Sequence, residues 1–497
     1  MATNSQHSFI IKLSFESDRN AIFAPPNPLF ANATWAKITI MNFRKVNNIT
    51  GWVVGVIACF VYFITREPTG SFWDCGEFVS CAYKMEIPHP PGSPLFSMLG
   101  RFFIVLFGGG NASNAAGSVN LLSALASGFT ILFLFWTITY FARKMFVNAG
   151  ENLTDNQLFT VMAAGVVGAL AYTFSDSFWF SAVEGEVYAL SSFFTALLVW
   201  AMLKWFHADE LAQNAAEKKR ADRWIVFIFF MLGLSITVHL LNLLTVPAIV
   251  LLYYYRRYQY SGRAAFFAFI LSFVITGLIL WGFIYLIPRW SAGFDRIFVN
   301  GFNLPFFSGF TFFFIFLGAL CWFGLRWAAR TRRSFLTLSI WCFIFLLVGY
   351  STYVTTLIRS NANPAIDMSN VDNPMSLASY FGREQYGSAP LLYGPHYQAQ
   401  VKEDPDRPGY VDFKESRMKY VKGKDKYISI GRERTPNYQE QDMQLFPRVW
   451  DASNEQGHAQ FYSDWLNLAQ RDQQGNVVGY DPPTYSDNMQ FFFTYQL

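Results

Sequence analysis

Charge is what this chain lacks. Of its 497 residues only 14% are Asp, Glu, Lys or Arg, against 53% hydrophobic, where a soluble globular chain carries about 25% charged residues. The deficit is local. Residues 51–358 hold nearly all the long apolar runs, and residues 359–497 read as an ordinary polar segment. A shift that abrupt marks a domain boundary. Cysteine is scarce too, and five thiols make no disulfide framework. Cys59, Cys321 and Cys342 lie inside apolar runs, as small buried hydrophobes do. Cys75 and Cys81 share one polar loop and could bridge only in an oxidising compartment. The common soluble-enzyme signatures are absent. Gly108-Gly109-Gly110 has no Lys-Ser/Thr after it and is not a phosphate loop, and there is no His-Glu-x-x-His, Cys-x-x-Cys or Gly-x-Ser-x-Gly.

What is present points to an all-α polytopic membrane protein. A helix needs about 20 apolar residues to cross a bilayer core. Spans are expected near 49–65, 117–141, 157–175, 187–206, 224–240, 242–255, 264–287, 309–328 and 334–357, about nine in all. The pair within 224–255 is tight and carries Pro247, which leaves the count uncertain by that pair. Lys and Arg set the orientation. Arg44, Lys45, Arg143, Lys144, Lys218 to Arg223, Arg256 to Arg263 and Arg326 to Arg333 all fall on one side, the cytoplasm. The stretch 94–107 is apolar, short and interrupted by Arg101. Counting it as a span would invert every later loop, so it reads as an interfacial or re-entrant helix. Residues 66–116 then form one long external loop, and the polar segment from Arg359 is external as well.

Three regions follow. Residues 1–40 have neither signal-peptide order nor a helical period, and Met41 makes a more natural start. Residues 41–358 are the transmembrane domain. Residues 359–497 are an extracytoplasmic segment that stops as a new apolar run begins, as a truncated chain would.

Charges that persist at external span ends are functional candidates. The first external loop carries Asp74, Glu77 and His89, in FWDCGEF and then HPPGSPLF. Asp74 and Glu77 are three apart and share one face of a helix. One carboxylate could serve as a general base, with the other orienting it or holding a metal; acids at a helix start are the plain alternative. His89 sits in a rigid Pro-Pro-Gly turn. The second external loop brings Glu184 and Glu186 to the same depth. His239 and Asn242 lie at the tip of the tight hairpin, where Asn242 could equally be a cap. Arg359 on the external side runs against the charge trend. A phosphate at the membrane surface would explain it, as would snorkelling to headgroups. The basic stretch Arg417–Lys426 reads as an exposed strand or turn, and nucleic acid is not expected as a partner.

The layout resembles membrane glycosyltransferases of the GT-C class. FWDCGEF with HPPGSPLF, then FWFSAVEGEVYAL, then GLSITVHLLNLL, are similar to segments of bacterial glycosyltransferase family 117. That family is common in Bacteroidota and related to the eukaryotic O-mannosyltransferase of plexin-type receptors. The resemblance spans about residues 42–400; the 1–40 extension departs from it. It implies transfer of a sugar such as mannose from a polyprenyl-phosphate donor to Ser or Thr of an exported protein. The site would face the periplasm from the bacterial inner membrane. By motif position Asp74 would be the base, with Glu77 beside it. Arg359 and His89 would meet the donor phosphate. Glu184, Glu186, His239 and Asn242 would orient sugar or acceptor. Partners would be the lipid-linked donor, the exported acceptor and membrane lipids. No residue is assigned to a metal, while a divalent-metal requirement is left open. A transporter or flippase of a lipid-linked or small polar substrate is the rival reading. It would require internal repeats or midplane helix breaks, and no repeat is evident.

Overall fold

The computed structural model describes residues 42–386, 390, 392–447 and 457–496. The 1–40 extension and the proposed start at Met41 lie outside the described residues.

Helices α1 (Phe43–Thr65), α2 (Cys75–Lys84), α3 (Pro94–Gly108), α4 (Ala115–Lys144), α5 (Asp155–Thr173), α6 (Asp176–Ala182), α7 (Val187–Leu211) and α8 (Ala215–Ala221) build the first half. Then come α9 (Arg223–Ile236), α10 (Thr245–Arg257), α11 (Gly262–Gly277), α12 (Ile287–Phe302), α13 (Ser308–Arg330), α14 (Ser334–Tyr350), α15 (Val354–Ser360) and α16 (Pro374–Phe381). Beyond them the described chain is rich in β structure, with four two-stranded antiparallel sheets. The largest pairs Phe413–Lys422 with Tyr427–Pro436.

Among the described residues seven helical stretches are long and apolar enough to cross a membrane, Phe43–Thr65, Ala112–Lys144, Asp155–Thr173, Val187–Leu211, Gly262–Phe302, Ser308–Arg330 and Ser334–Ser360. The expected count of about nine is therefore not reproduced. The difference is the tight pair. α9 has 14 residues and α10 has 13, about 20 Å each at 1.5 Å per residue. The chain leaves helix at Thr237, whose hydroxyl donates back to the Leu234 carbonyl at 2.7 Å. It re-forms only after a short turn of 3-10 helix, Leu240–Leu244. α3 is likewise short, at 15 residues.

A second departure concerns 288–308, the interval left between the expected spans 264–287 and 309–328. The helix instead runs on through a π-helical stretch, Leu278–Leu286, into α12. Pro288 has no N–H to offer the carbonyl four residues back. That carbonyl, on Ile284, accepts from the Tyr350 hydroxyl at 3.4 Å instead.

α4 sits at the centre of the first half, packed by α1, α3, α5 and α7. α9 crosses α14 where Gly233 meets Gly349, and a Cβ on either would strike the other helix's backbone. Small residues at a crossing let membrane helices approach closely. The hairpin of Phe413–Pro436 is moored to α12. Asp295 is wholly buried and accepts from the Phe307, Gly309 and Phe310 N–H groups at 3.1, 3.0 and 3.2 Å and from the Tyr427 hydroxyl at 2.7 Å.

Cys75 and Cys81 are both free, buried thiols. Both sit on α2, and six residues apart on a helix their side chains leave the axis about 120° from one another.

Candidate functional site

The site is built on α2. Asp74 is its N-cap residue, yet the carboxylate makes no capping hydrogen bond. No other donor among the described residues reaches it either, and Asp74 is exposed. A carboxylate here enjoys the positive end of the helix dipole and remains free to take a proton. The loop before it is fixed from α4. Asn120 is fully buried, and its Nδ2 donates to the Glu67 and Thr69 carbonyls at 2.6 and 2.9 Å. The Glu67 N–H donates to the Val183 carbonyl at 3.0 Å, which ties the loop to the Glu184 segment.

Glu77, one turn along α2, is turned to His89 rather than to Asp74. Its Oε1 accepts the His89 backbone N–H at 2.7 Å, and its Oε2 lies 2.9 Å from His89 Nδ1. A proton on Nδ1 satisfies that pairing, as a carboxylate partner ordinarily orients an imidazole. The Pro-Pro-Gly turn behind His89 is clamped by two tyrosines from beyond α14. Tyr353 donates to the Gly92 carbonyl at 3.2 Å, and Tyr380 donates to the Pro88 and His89 carbonyls. Asp74, Glu77 and His89 each offer one ligand atom within 4.8 Å of the others. Two carboxylates and an imidazole form a donor set that could coordinate a divalent cation.

Glu184 and Glu186 come to the same place. Both are buried, and Glu184 Oε2 has no partner among the described residues. Glu186 Oε1 accepts the Val187 N–H at 3.1 Å, and Cys75 Sγ lies 3.9 Å from Oε2. Burial pushes the Glu186 carboxyl up to about 7, with the charges of Asp74 and Glu184 adding to the effect and the Val187 N–H and His89 opposing it. Burial, with the same acids around it, pushes the Cys75 thiol up to about 12. Gly185 between the two acids must stay bare, because a Cβ there would lie 2.9 Å from Asn120 Oδ1.

Residues 74–262 match the N-terminal domain of Protein O-mannosyl-transferase TMEM260. The match begins at Asp74 and takes in the whole acidic cluster. Residues 387–493 match a family of unknown function, DUF8416. Among curated relatives, Protein O-mannosyl-transferase tmem260 of Dictyostelium discoideum is 24% identical over 221 residues, 44% of this chain and 24% of its own length. Protein O-mannosyl-transferase TMEM260 of Mus musculus is 31% identical over 144 residues, 29% of this chain and 17% of its own. The chain thus spans about a quarter or less of the curated relatives it matches. No solved structure matches it.

The remaining candidates have other partners. Arg359 reaches the opposite end of α2, where its Nε and Nη2 donate to the Met85 and Lys84 carbonyls at 2.8 and 3.0 Å. Arg101 Nη1 takes the Tyr83 carbonyl at 2.5 Å. Two cations on the last carbonyls satisfy groups that a helix leaves open and offset its dipole. That end is about 15 Å from Asp74 along the axis. Asn242 bridges helices. Its Nδ2 donates to Ser191 Oγ at 3.2 Å, and its Oδ1 accepts from the Thr195 hydroxyl at 2.6 Å. His239 stacks edge-on against Tyr188, with ring centroids 5.3 Å apart, and its Nδ1 accepts the Leu241 N–H at 3.2 Å. The residues missed from sequence are Asn120, Tyr353 and Tyr380. A buried Asn inside an apolar run was the available signal for the first.

Proposed function

We propose that the chain is a membrane glycosyltransferase that moves a sugar from a polyprenyl-phosphate donor to Ser or Thr hydroxyls of exported proteins, on the side away from the cytoplasm. In a bacterium that side is the periplasm. One observation carries the reading: an unpaired Asp74 carboxylate stands at the head of α2, amid Glu77, His89, Glu184 and Glu186, in the segment that matches the O-mannosyl-transferase domain.

Chemistry follows from that arrangement. As the acceptor oxygen bonds to the sugar's anomeric carbon, its proton passes to Asp74, and the bond from that carbon to the phosphate oxygen breaks. The lipid phosphate leaves as a stable anion and needs no strong acid. Glu77 holds His89 through its backbone N–H and Nδ1, which keeps the imidazole in the same cluster as Asp74. A divalent cation held by Asp74, Glu77 and His89 would neutralise charge on the leaving phosphate. The 2.9 Å Glu77–His89 pair supports a second assignment within the same reaction, with His89 as base and Glu77 orienting it.

Asp74→Asn keeps size but cannot accept a proton. It should leave expression and donor binding intact and slow sugar transfer by roughly 100-fold or more, read as a mass shift of an exported acceptor. Transfer at the normal rate would move the base to His89, and Glu77→Gln would then be the damaging variant.

A further inference from the structure

The catalytic reading uses one end of the bundle. The opposite end, cytoplasmic by its Lys and Arg, holds a cavity of about 800 Å³ between the start of α1, the end of α4, the loop before α5 and the end of α7. Five residues lining it carry a buried polar atom without a partner among the described residues: Asn47 Oδ1, Trp136 Nε1, Tyr140 Oη, Arg143 Nε and His207 Nδ1. Buried polar groups are normally paired, and each exception asks for an explanation. Here the exceptions gather around one cavity.

Its charge is one-sided. Arg44, Arg143 and Lys204 line it, and among the described residues no carboxylate lies within ion-pair distance of any of them. Glu151 is the one acid in the lining, and its oxygens are taken by Asn148 N and Nδ2 at 2.8 and 3.4 Å. His207 Nδ1 lies 4.0 Å from Glu210, whose carboxylate is paired with Lys144 at 2.5 Å.

A track of rings leads from the cavity toward the other end. Trp136 meets Trp200 at 5.8 Å, Trp200 meets Phe133 at 5.1 Å, and Phe133 meets Phe193 at 6.0 Å. Trp52 and Phe129 flank it, 50% and 38% exposed. Cations at the mouth with an open aromatic track at membrane depth suit a phosphate headgroup with an acyl chain attached.

We infer that this cavity binds the phosphate of an anionic lipid of the cytoplasmic leaflet, with Arg143 and Lys204 as the charge partners and the Trp136–Phe193 track seating the chain. The site is separate from the sugar-transfer reading and does not depend on it.

Native mass spectrometry of the full chain, released from detergent, tests this with three probes. Phosphatidylglycerol should be retained as one molecule per chain. Phosphatidylcholine, whose choline cancels the phosphate charge, should be retained at least tenfold more weakly. Soluble glycerol phosphate should not be retained. Lys204→Gln should weaken phosphatidylglycerol retention by tenfold or more at unchanged melting temperature. Arg143→Gln should do the same, and if it misfolds through loss of its 2.7 Å bond to the Glu151 carbonyl, Lys204→Gln alone decides. Equal retention of the two lipids, or retention untouched by Lys204→Gln, would make the lipid an annular one and overturn the site. Glycerol phosphate bound as tightly as the lipid would overturn the lipid as its source.

Discussion

At the scale of single residues, Glu186 is the group whose surroundings say most. It lies outside the spans at the head of α7, buried beside Cys75, with Asp74 and Glu184 near enough to raise it further. Its carboxyl titrates at about 7 instead of 4.5, so the folded chain holds a proton there that the unfolded chain has lost. Between about pH 4.5 and 7 the folded state is the one binding more protons, and stability falls as pH rises through that window and levels off above it. Glu186→Gln has no such penalty. Its melting temperature should exceed wild type by a margin that grows from about pH 5 to 7 and then stays constant. Donor binding should follow the same titration. Ionising Glu186 adds a negative charge to a site that, on the proposed reaction, receives a phosphate, so wild-type donor affinity should weaken as pH rises past about 7, and the variant's should stay flat. A wild-type profile that is flat from about pH 6 to 8 would place the titrating proton elsewhere. The acids of this cluster were legible in the sequence, because Asp74, Glu77 and His89 share one loop and Glu184 and Glu186 another. Their pairing was not. Periodicity put Glu77 beside Asp74, but hydrogen-bond geometry turned it to His89, which a turn brings back from twelve residues away.

At the scale of elements, α2, on which the proposed chemistry rests, is held at both ends by distant residues. Asn120 fixes the loop before it, and Arg359 and Arg101 close its C-terminal carbonyls. Sequence marked Arg359 as out of place on the side expected to be external. The guanidinium lies on the Lys84 and Met85 carbonyls, 275 and 274 residues away along the chain. Pairings at that separation leave no trace in local composition. Arg359→Ala hands an exposed and a half-buried carbonyl back to water and should cost about 1 kcal/mol of stability. Arg359→Lys restores one donor and should recover part of it. In both variants donor affinity should stay near wild type, while transfer slows with the loosening of α2. Thermal melting in detergent and donor titration separate the two effects. Lost donor affinity at an unchanged melting temperature would return Arg359 to the donor phosphate.

At the scale of the whole molecule, the charge pattern distinguishes the two ends of the bundle. Apolar runs longer than about 18 residues were legible as spans. The tight α9–α10 pair was legible as the uncertain one, but its lengths were not, because hydropathy does not register a Thr237 hydroxyl bonding back along its own helix. The continuation through Pro288 was missed because its freed carbonyl is met by Tyr350, 66 residues on. Neither difference changes which end a loop lies on. α1 starts, α4 and α7 end, and α5 starts at the basic end, and Asp74, Glu186 and His239 all lie at the other. Tyr188 against His239 shows that the α9–α10 turn reaches the depth of the α7 start despite its short helices. Orientation can therefore be tested at two exposed positions far from either cavity's lining, Lys219 after α7 and Gln400 in the β-rich segment. In a background with the five native cysteines replaced by Ser, a membrane-impermeant thiol reagent applied to intact cells should label Gln400→Cys. Lys219→Cys should react only after permeabilisation. The reverse pattern would put the acidic cluster in the cytoplasm, where a polyprenyl-phosphate donor and an exported acceptor could not meet, and the rival transporter reading would then account better for the buried acids.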